Sequence, residues 1–179
     1  MEYGCGVRPI LVRRNGLAGR TGMLALREGP GCLFWWVLTS KIGNRAVETV
    51  TNRRYREGML SSIQAGFAAL PQETSAALVC LGDQPLIFFS VFDDLIEAYE
   101  QTRKGIVLPV YKKRRGHPIL IDMKHKQEIL ALSPDIGLRA LVQNHPQDVQ
   151  EVEVDTPQIL KDIDYPEDYQ SQLEKKEEE

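Results

Sequence analysis

The chain has 179 residues, 42% of them hydrophobic and 26% charged, which is enough for one domain with a core of its own. A formal net charge of -3 and a pI of about 5.7 argue against general affinity for nucleic acid or an anionic membrane. No apolar run reaches spanning length, no signal-peptide order opens the chain, and Cys5, Cys32 and Cys80 make neither a disulfide framework nor a metal pair, so a reducing cytoplasm is expected.

Residues 1–50 differ from the rest. They hold 8 of the 14 glycines, both tryptophans, seven Lys/Arg and three Glu, and no Asp. "RPILV" and "LFWWVLTS" each have strand character, and "GLAGRTGMLALREGPG" between them is glycine-rich with some helical spacing. No single period persists through this part.

After Thr51 the pattern becomes regular. "NRRYREG" is a loop turning at Gly58. Ser61 and Ser62 are then expected as helix caps, with Ile63, Phe67 and Leu70 on one face and Pro71 ending the helix. "AALVCL" is a continuous apolar run, the mark of a strand covered on both faces, and Cys80 within it is expected as inert core. Ser90 is expected to cap a second helix, "SVFDDLIEAYEQTR".

"GIVLPV" and "ILID" follow as strands around the basic loop "YKKRRGHP". Two short helices, "KQEILAL" and "DIGLRALVQNH", come next, then the alternating strand "VQEVEVD". His125 and His145 fall in helix or helix-end contexts and are expected at the surface. Strands alternating with helices in this order imply a mostly parallel, three-layer α/β sheet. The domain is expected over residues 51–170, with 171–179 a charged tail.

Ligands in open α/β sheets bind beyond the carboxyl ends of the strands. Asp83, in "LVCLGDQPLIFFS", lies just past such an end, between Gly82 and Pro85. It is either an Asx-turn or cap residue, or a ligand. A second acidic group follows in "KDIDYPEDY". Glu167 and Asp168 suit a helix first turn after Pro166, whereas Asp164 is either a cap or points at the strand ends. Two carboxylates converging there would suit Mg²⁺, which takes hard oxygens and phosphates. Lys112 and Lys113 fit a solvated hairpin, while Arg115, Gly116, His117 and Pro118 imply a specific backbone path near the same mouth. No His/Cys grouping has zinc spacing, and no nucleophile elbow is present.

Taken in order, "NRRYREGMLSSIQAGFAAL", "LVCLGDQPLI", "IVLPVYKKRRGHPILI", "LSPDIGLRALV" and "DIDYPEDY" resemble the nucleotidyltransferase family of molybdenum cofactor biosynthesis, its cytidylyltransferases and guanylyltransferases. The likeness runs from about Asn52 to Tyr169. It implies a Rossmann-like α/β/α fold, Mg²⁺, and transfer of a nucleoside monophosphate to molybdopterin with release of pyrophosphate. It also implies that Asp83 and Asp164 are the catalytic metal ligands. Gly58, Ser61, Ser62 and Gly82 would lie beside the nucleotide, and Arg115, Gly116 and His117 on the cofactor side. CTP is favoured over GTP, and a molybdenum hydroxylase is the expected beneficiary.

The family's opening glycine-rich phosphate loop is only echoed by "LAGRTGM", Leu17 to Met23, and no Lys follows until Lys41. Residues 1–50 are therefore expected to derive from a truncated or out-of-frame start. Two other functions compete with the first. One is a non-catalytic carrier or chaperone for the molybdenum cofactor; the other is a nucleotidyltransferase using GTP or a sugar phosphate.

Overall fold

A computed structural model describes residues 10–14, 22–27, 47–133 and 135–163. The strands are β1 (Ile10–Arg14), β2 (Gly22–Arg27), β3 (Val47–Asn52), β4 (Ala76–Leu81), β5 (Ile106–Tyr111), β6 (Arg114–Arg115), β7 (Ile119–Asp122) and β8 (Val149–Glu153). The helices are α1 (Met59–Ala69), α2 (Phe89–Thr102), α3 (Lys126–Ala131) and α4 (Arg139–Asn144).

One sheet runs β3–β2–β1–β4–β7–β5–β6, with β8 paired to β5. β6 and β7 share one edge of β5, meeting it at Val110–Tyr111 and Ile106–Val107, and β8 lies along the other edge in parallel. Strands β2, β3, β4, β5 and β8 point one way, and β1, β6 and β7 oppose them. The sheet is thus mixed, but most of its described strands share a direction, and their carboxyl ends form a single mouth.

Alternation along β4 builds two cores. Ala77 and Val79 face one side with Ile106, Leu108 and Ile121, covered by Leu60, Ile63 and Phe67 of α1, Ile129 of α3 and Leu141 of α4. Ala76, Leu78 and Cys80 face the other, covered by Val91, Leu95 and Tyr99 of α2 and by Ile159. A strand with apolar residues on both faces needs helices on both faces, which gives the expected three layers.

Both serine caps are corrected. α1 begins at Met59 after Gly58, whose φ of 102° favours glycine, so Ser61 and Ser62 lie inside the helix. α2 begins at Phe89 after Phe88, without a side-chain cap, and Ser90 is already helical. His125 is also corrected: it is buried, at 6% exposure.

β1 runs antiparallel to β4, with Ile10 beside Leu81 and Arg14 beside Ala77. The chain therefore leaves β1 and re-enters β2 at Gly22, opposite Arg13, at the end of the sheet away from the mouth. Leu17 to Thr21 of "LAGRTGM" lie outside the described residues. The expected strand "LFWWVLTS" also lies outside the described residues, as do Asp164, Glu167, Asp168 and the tail.

Candidate active site

β4 is buried along its whole length and stops at Leu81. A tight turn follows, closed by the Gln84 N–H donating to the Leu81 carbonyl at 3.2 Å. Gly82 is exposed and Asp83 half-buried just past the end of β4, with Asp83 Oδ1 buried. The Asp83 carbonyl accepts from the Ile163 N–H at 2.8 Å. Beside it, Gln84 Nε2 donates to Asp162 Oδ1 at 2.7 Å. Gln84 is 7% exposed, and its Oε1 is buried without a hydrogen-bond partner. So the late acidic segment is laced to the Asp83 turn up to the residue before Asp164.

That lacing continues along residues 154–163. The Val154 N–H donates to Val110 at 2.9 Å, and the Ile159 carbonyl accepts from the His117 N–H at 3.1 Å. The strap crosses the mouth from β5 to the start of β7 and then to the end of β4. Gly116 lies under it. A Cβ there would stand 2.4 Å from the Ile159 carbonyl oxygen, so no larger residue fits without displacing backbone. The Gly116 N–H is held by Pro109 at 2.9 Å, a cis peptide joins His117 to Pro118, and His117 Nδ1 lies 3.5 Å from the Val79 carbonyl. This is the specific path that Gly, His and Pro foretold.

The basic hairpin is strained at its tip. Lys112 and Lys113 both take positive φ, 48° and 65°, a conformation that two-residue hairpins demand and that Asn or Gly supplies at least cost. Lys112 Nζ sits 5.2 Å from the centre of the Tyr111 ring. Arg115 pairs with Glu151 at 2.6 Å; both side chains are about half exposed, so the pair orients more than it stabilises.

A cavity of about 550 Å³ opens between the hairpin and the helices. It brings Arg115, Gly116 and His117 together with Gly137, Leu138 and Arg139, and Met59 and Ile63 of α1 form its apolar floor. Two segments that the sequence singled out separately, "RGHP" and "DIGLR", thus share one wall.

The other expected residues lie around the start of α1. The Ser61 and Ser62 hydroxyls are buried and accept from Asn52 Nδ2 at 2.8 and 2.9 Å, and Ser61 Oγ also donates to the Gly58 carbonyl at 2.7 Å. Asn52, at the carboxyl end of β3, is 3% exposed and also accepts from the Arg54 N–H. It escaped sequence reading because an Asn opening a loop is unremarkable until its partners in the helix are known. Gly58, exposed, begins α1 at the mouth end of the sheet. Asp164 lies outside the described residues.

MobA-like NTP transferase domains match residues 37–149. The chain belongs to this family. Among curated proteins, molybdenum cofactor cytidylyltransferase of Escherichia coli K12 is 26% identical over 124 residues, 69% of this chain. The chain spans 60% of the length of that relative.

Solved structures agree on the fold. Rv0371c of Mycobacterium tuberculosis H37Rv superposes with a TM-score of 0.63 at 23% identity, over 78% of this chain and 70% of that one. Its complex with manganese gives 0.64 at 22% identity, over 78% and 72%. A homologue from Mycobacterium sp. strain JC1 gives 0.60 at 20% identity, over 76% and 70%. The Rossmann-like α/β assignment therefore stands for this MobA-like domain. Among its described residues no helix is long and apolar enough to cross a membrane.

Proposed function

We propose that this MobA-like domain is a metal-dependent nucleotidyltransferase that joins CMP from CTP to the terminal phosphate of molybdopterin and releases pyrophosphate. The observation that carries the reading is the Ile163–Asp83 backbone bond, which brings the late acidic segment to the carboxyl end of β4. The donors gathered there fit Mg²⁺: the Asp83 carboxylate and the partnerless buried Gln84 Oε1 are hard oxygens. Asp83 and Asp164 would hold the ion, which when bound neutralises phosphate charge during transfer. The cytidylyltransferase relative supports CMP transfer, and the manganese complex of a structural neighbour supports a divalent ion.

The chain's own residues then divide the work. Gly82 lets the backbone approach the nucleotide closely at the Asp83 turn. α1 directs its N-terminus, begun by Gly58, toward the mouth, where a helix dipole favours phosphate. Arg115 and Arg139, both lining the cavity, supply cations for the phosphate of the pterin, and Gly116 and His117 shape that wall. A molybdenum hydroxylase is the proposed recipient of the product.

A second reading rests on the sequence, in which the family's glycine-rich phosphate loop is only echoed by "LAGRTGM". A chain without a triphosphate cradle there would hold the pterin and act as its carrier. Incubation with Mg²⁺, molybdopterin and labelled CTP, GTP or a nucleotide sugar precursor separates the readings. Pyrophosphate release with CTP above the others supports cytidylyl transfer. Tight pterin binding with no release from any nucleotide establishes the carrier and sinks the enzyme.

A further inference from the structure

The opposite end of the sheet carries a second cluster that nucleotidyl transfer does not use. Asp122 ends β7 beside Ala76, the first residue of β4, so the residues after it lie at the amino end of β4. By strand rise this is about 20 Å from Asp83. His125 follows in the turn Met123–His125, Glu128 lies in α3, and His145 stands just past α4. One nitrogen from each histidine and one oxygen of Glu128 all lie within 4.8 Å of one another.

The contacts assign an atom to each. His145 Nε2 meets Glu128 Oε2 at 2.5 Å, and His125 Nδ1 lies 3.9 Å from the same oxygen. The other nitrogen of His125, Nε2, is 2.8 Å from Asp148 Oδ2. Asp148 is held in turn by the Gly105 N–H at 2.9 Å and by Lys124 Nζ. Burial alone would raise the Asp148 carboxyl, but the bonds from Gly105, Lys124 and His125 outweigh it and bring it down to about 2. Packing is close enough that a Cβ on Gly105 would stand 2.3 Å from Asp148 Oδ2 and 2.5 Å from His125 Nε2.

A carboxylate that takes the far N–H of an imidazole fixes its tautomer and turns the near nitrogen into a donor, the arrangement that supports metal-ligating histidines. Two imidazoles and one carboxylate, with a fourth position for water, suit Zn²⁺ and its first-row neighbours, whereas Mg²⁺ wants oxygens alone. His125 is buried, while the side chains of Glu128 and His145 are 31% and 34% exposed, so an ion has a way in. We propose that His125, Glu128 and His145 bind a transition-metal ion of the Zn²⁺ class, with Asp148 as the residue that positions His125. The ion takes the place of the hydrogen between His145 and Glu128, with a short inward swing of His125 completing the set. It ties α3 to the end of α4, the helix whose other residues wall the cavity.

Equilibrium dialysis of the full chain against Zn²⁺, with excess Mg²⁺ present to occupy carboxylate sites, tests this directly. The wild type is expected to retain one Zn²⁺ and to gain thermal stability as Zn²⁺ rises. His145→Ala and Glu128→Gln, which alter half-exposed side chains, should lose both effects, Asp83→Asn should keep both, and Asp148→Asn should bind about 10–100-fold more weakly. Nitrogen-15 NMR of the three histidines gives a check that needs no variant: Zn²⁺ should shift His125 Nδ1 and His145 Nε2 and leave His117 in place. No uptake by the wild type, equal uptake by both ligand variants, or a response at His117 alone overturns the proposal.

Discussion

The backbone N–H of Ile163 donates to the carbonyl of Asp83 across 2.8 Å, joining two segments that are distant in the chain. The bond does not depend on either side chain. It sets the path of the acidic segment through the Asp83 carbonyl, so a change at the Asp83 carboxylate leaves this bond in place.

Asp83→Asn should therefore leave the fold intact and lower pyrophosphate release by at least about 10–100-fold, the usual effect of disturbing a metal's surroundings. Activity assays alongside circular dichroism check this. Unchanged turnover in a folded variant would remove Asp83 from the reaction.

Gly116→Ala tests the strap. The added methyl meets the Ile159 carbonyl at 2.4 Å, and backbone cannot yield as a side-chain tip can. Overpacking of this kind costs about 1–3 kcal/mol. Urea denaturation should show a lower midpoint, and pterin affinity should fall with it because His117 is held by the same carbonyl.

Asn52→Ala removes the amide that both serine hydroxyls share. Ser61 keeps its bond to the Gly58 carbonyl, but the Ser62 hydroxyl loses its amide partner, and a buried polar group left so costs about 1–3 kcal/mol. The additional changes Ser61→Ala and Ser62→Ala should recover part of that loss, which a mutant cycle of denaturation midpoints measures. Additive losses would show that the three groups act independently.

The hairpin tip predicts a trade. Replacing Lys112 by Asn and Lys113 by Gly relieves two left-handed non-glycine residues, worth about 1–2 kcal/mol each. The double variant should melt higher. If the two cations assist phosphate binding, its KM for the nucleotide should rise at the same time.

Tyr99 gives the pH dependence. Burial first, and then the 2.6 Å bond to Asp122, push its phenol up to about 12. In the unfolded chain the same proton leaves near the ordinary value of 10.0. The folded value is the higher one, so the contribution to stability is complete below pH 10 and is lost as pH rises toward 12. Absorbance titration should show one tyrosine ionising late, and Tyr99→Phe should abolish that step and flatten the alkaline fall in stability.

From Asn52 onward the sequence was legible because each element advertises itself locally: apolar runs for β4 and β5, helical spacing in α1 and α2, and Gly-Asp-Gln-Pro at the mouth. What escaped was decided elsewhere in the chain. Ser61 looks like a cap until Asn52 claims its hydroxyl, and His125 looks like a surface residue until Asp148, 23 positions later, meets its ring. The direction of β1 was likewise hidden, since neither hairpin register nor neighbour choice is written in five residues.

The strap also sets an order of events during synthesis. Gln84 meets Asp162 only after another 78 residues have emerged, and closing so long a loop costs roughly 4 kcal/mol of chain entropy before any contact repays it. Strand β4 can be made and partly sheathed by α1 and α2 well before that. A ribosome that has passed β7 but not Asp162 therefore holds a chain with much of its core but no closed mouth. Any chaperone or pterin that waits for the mouth reads, in effect, the emergence of the strap.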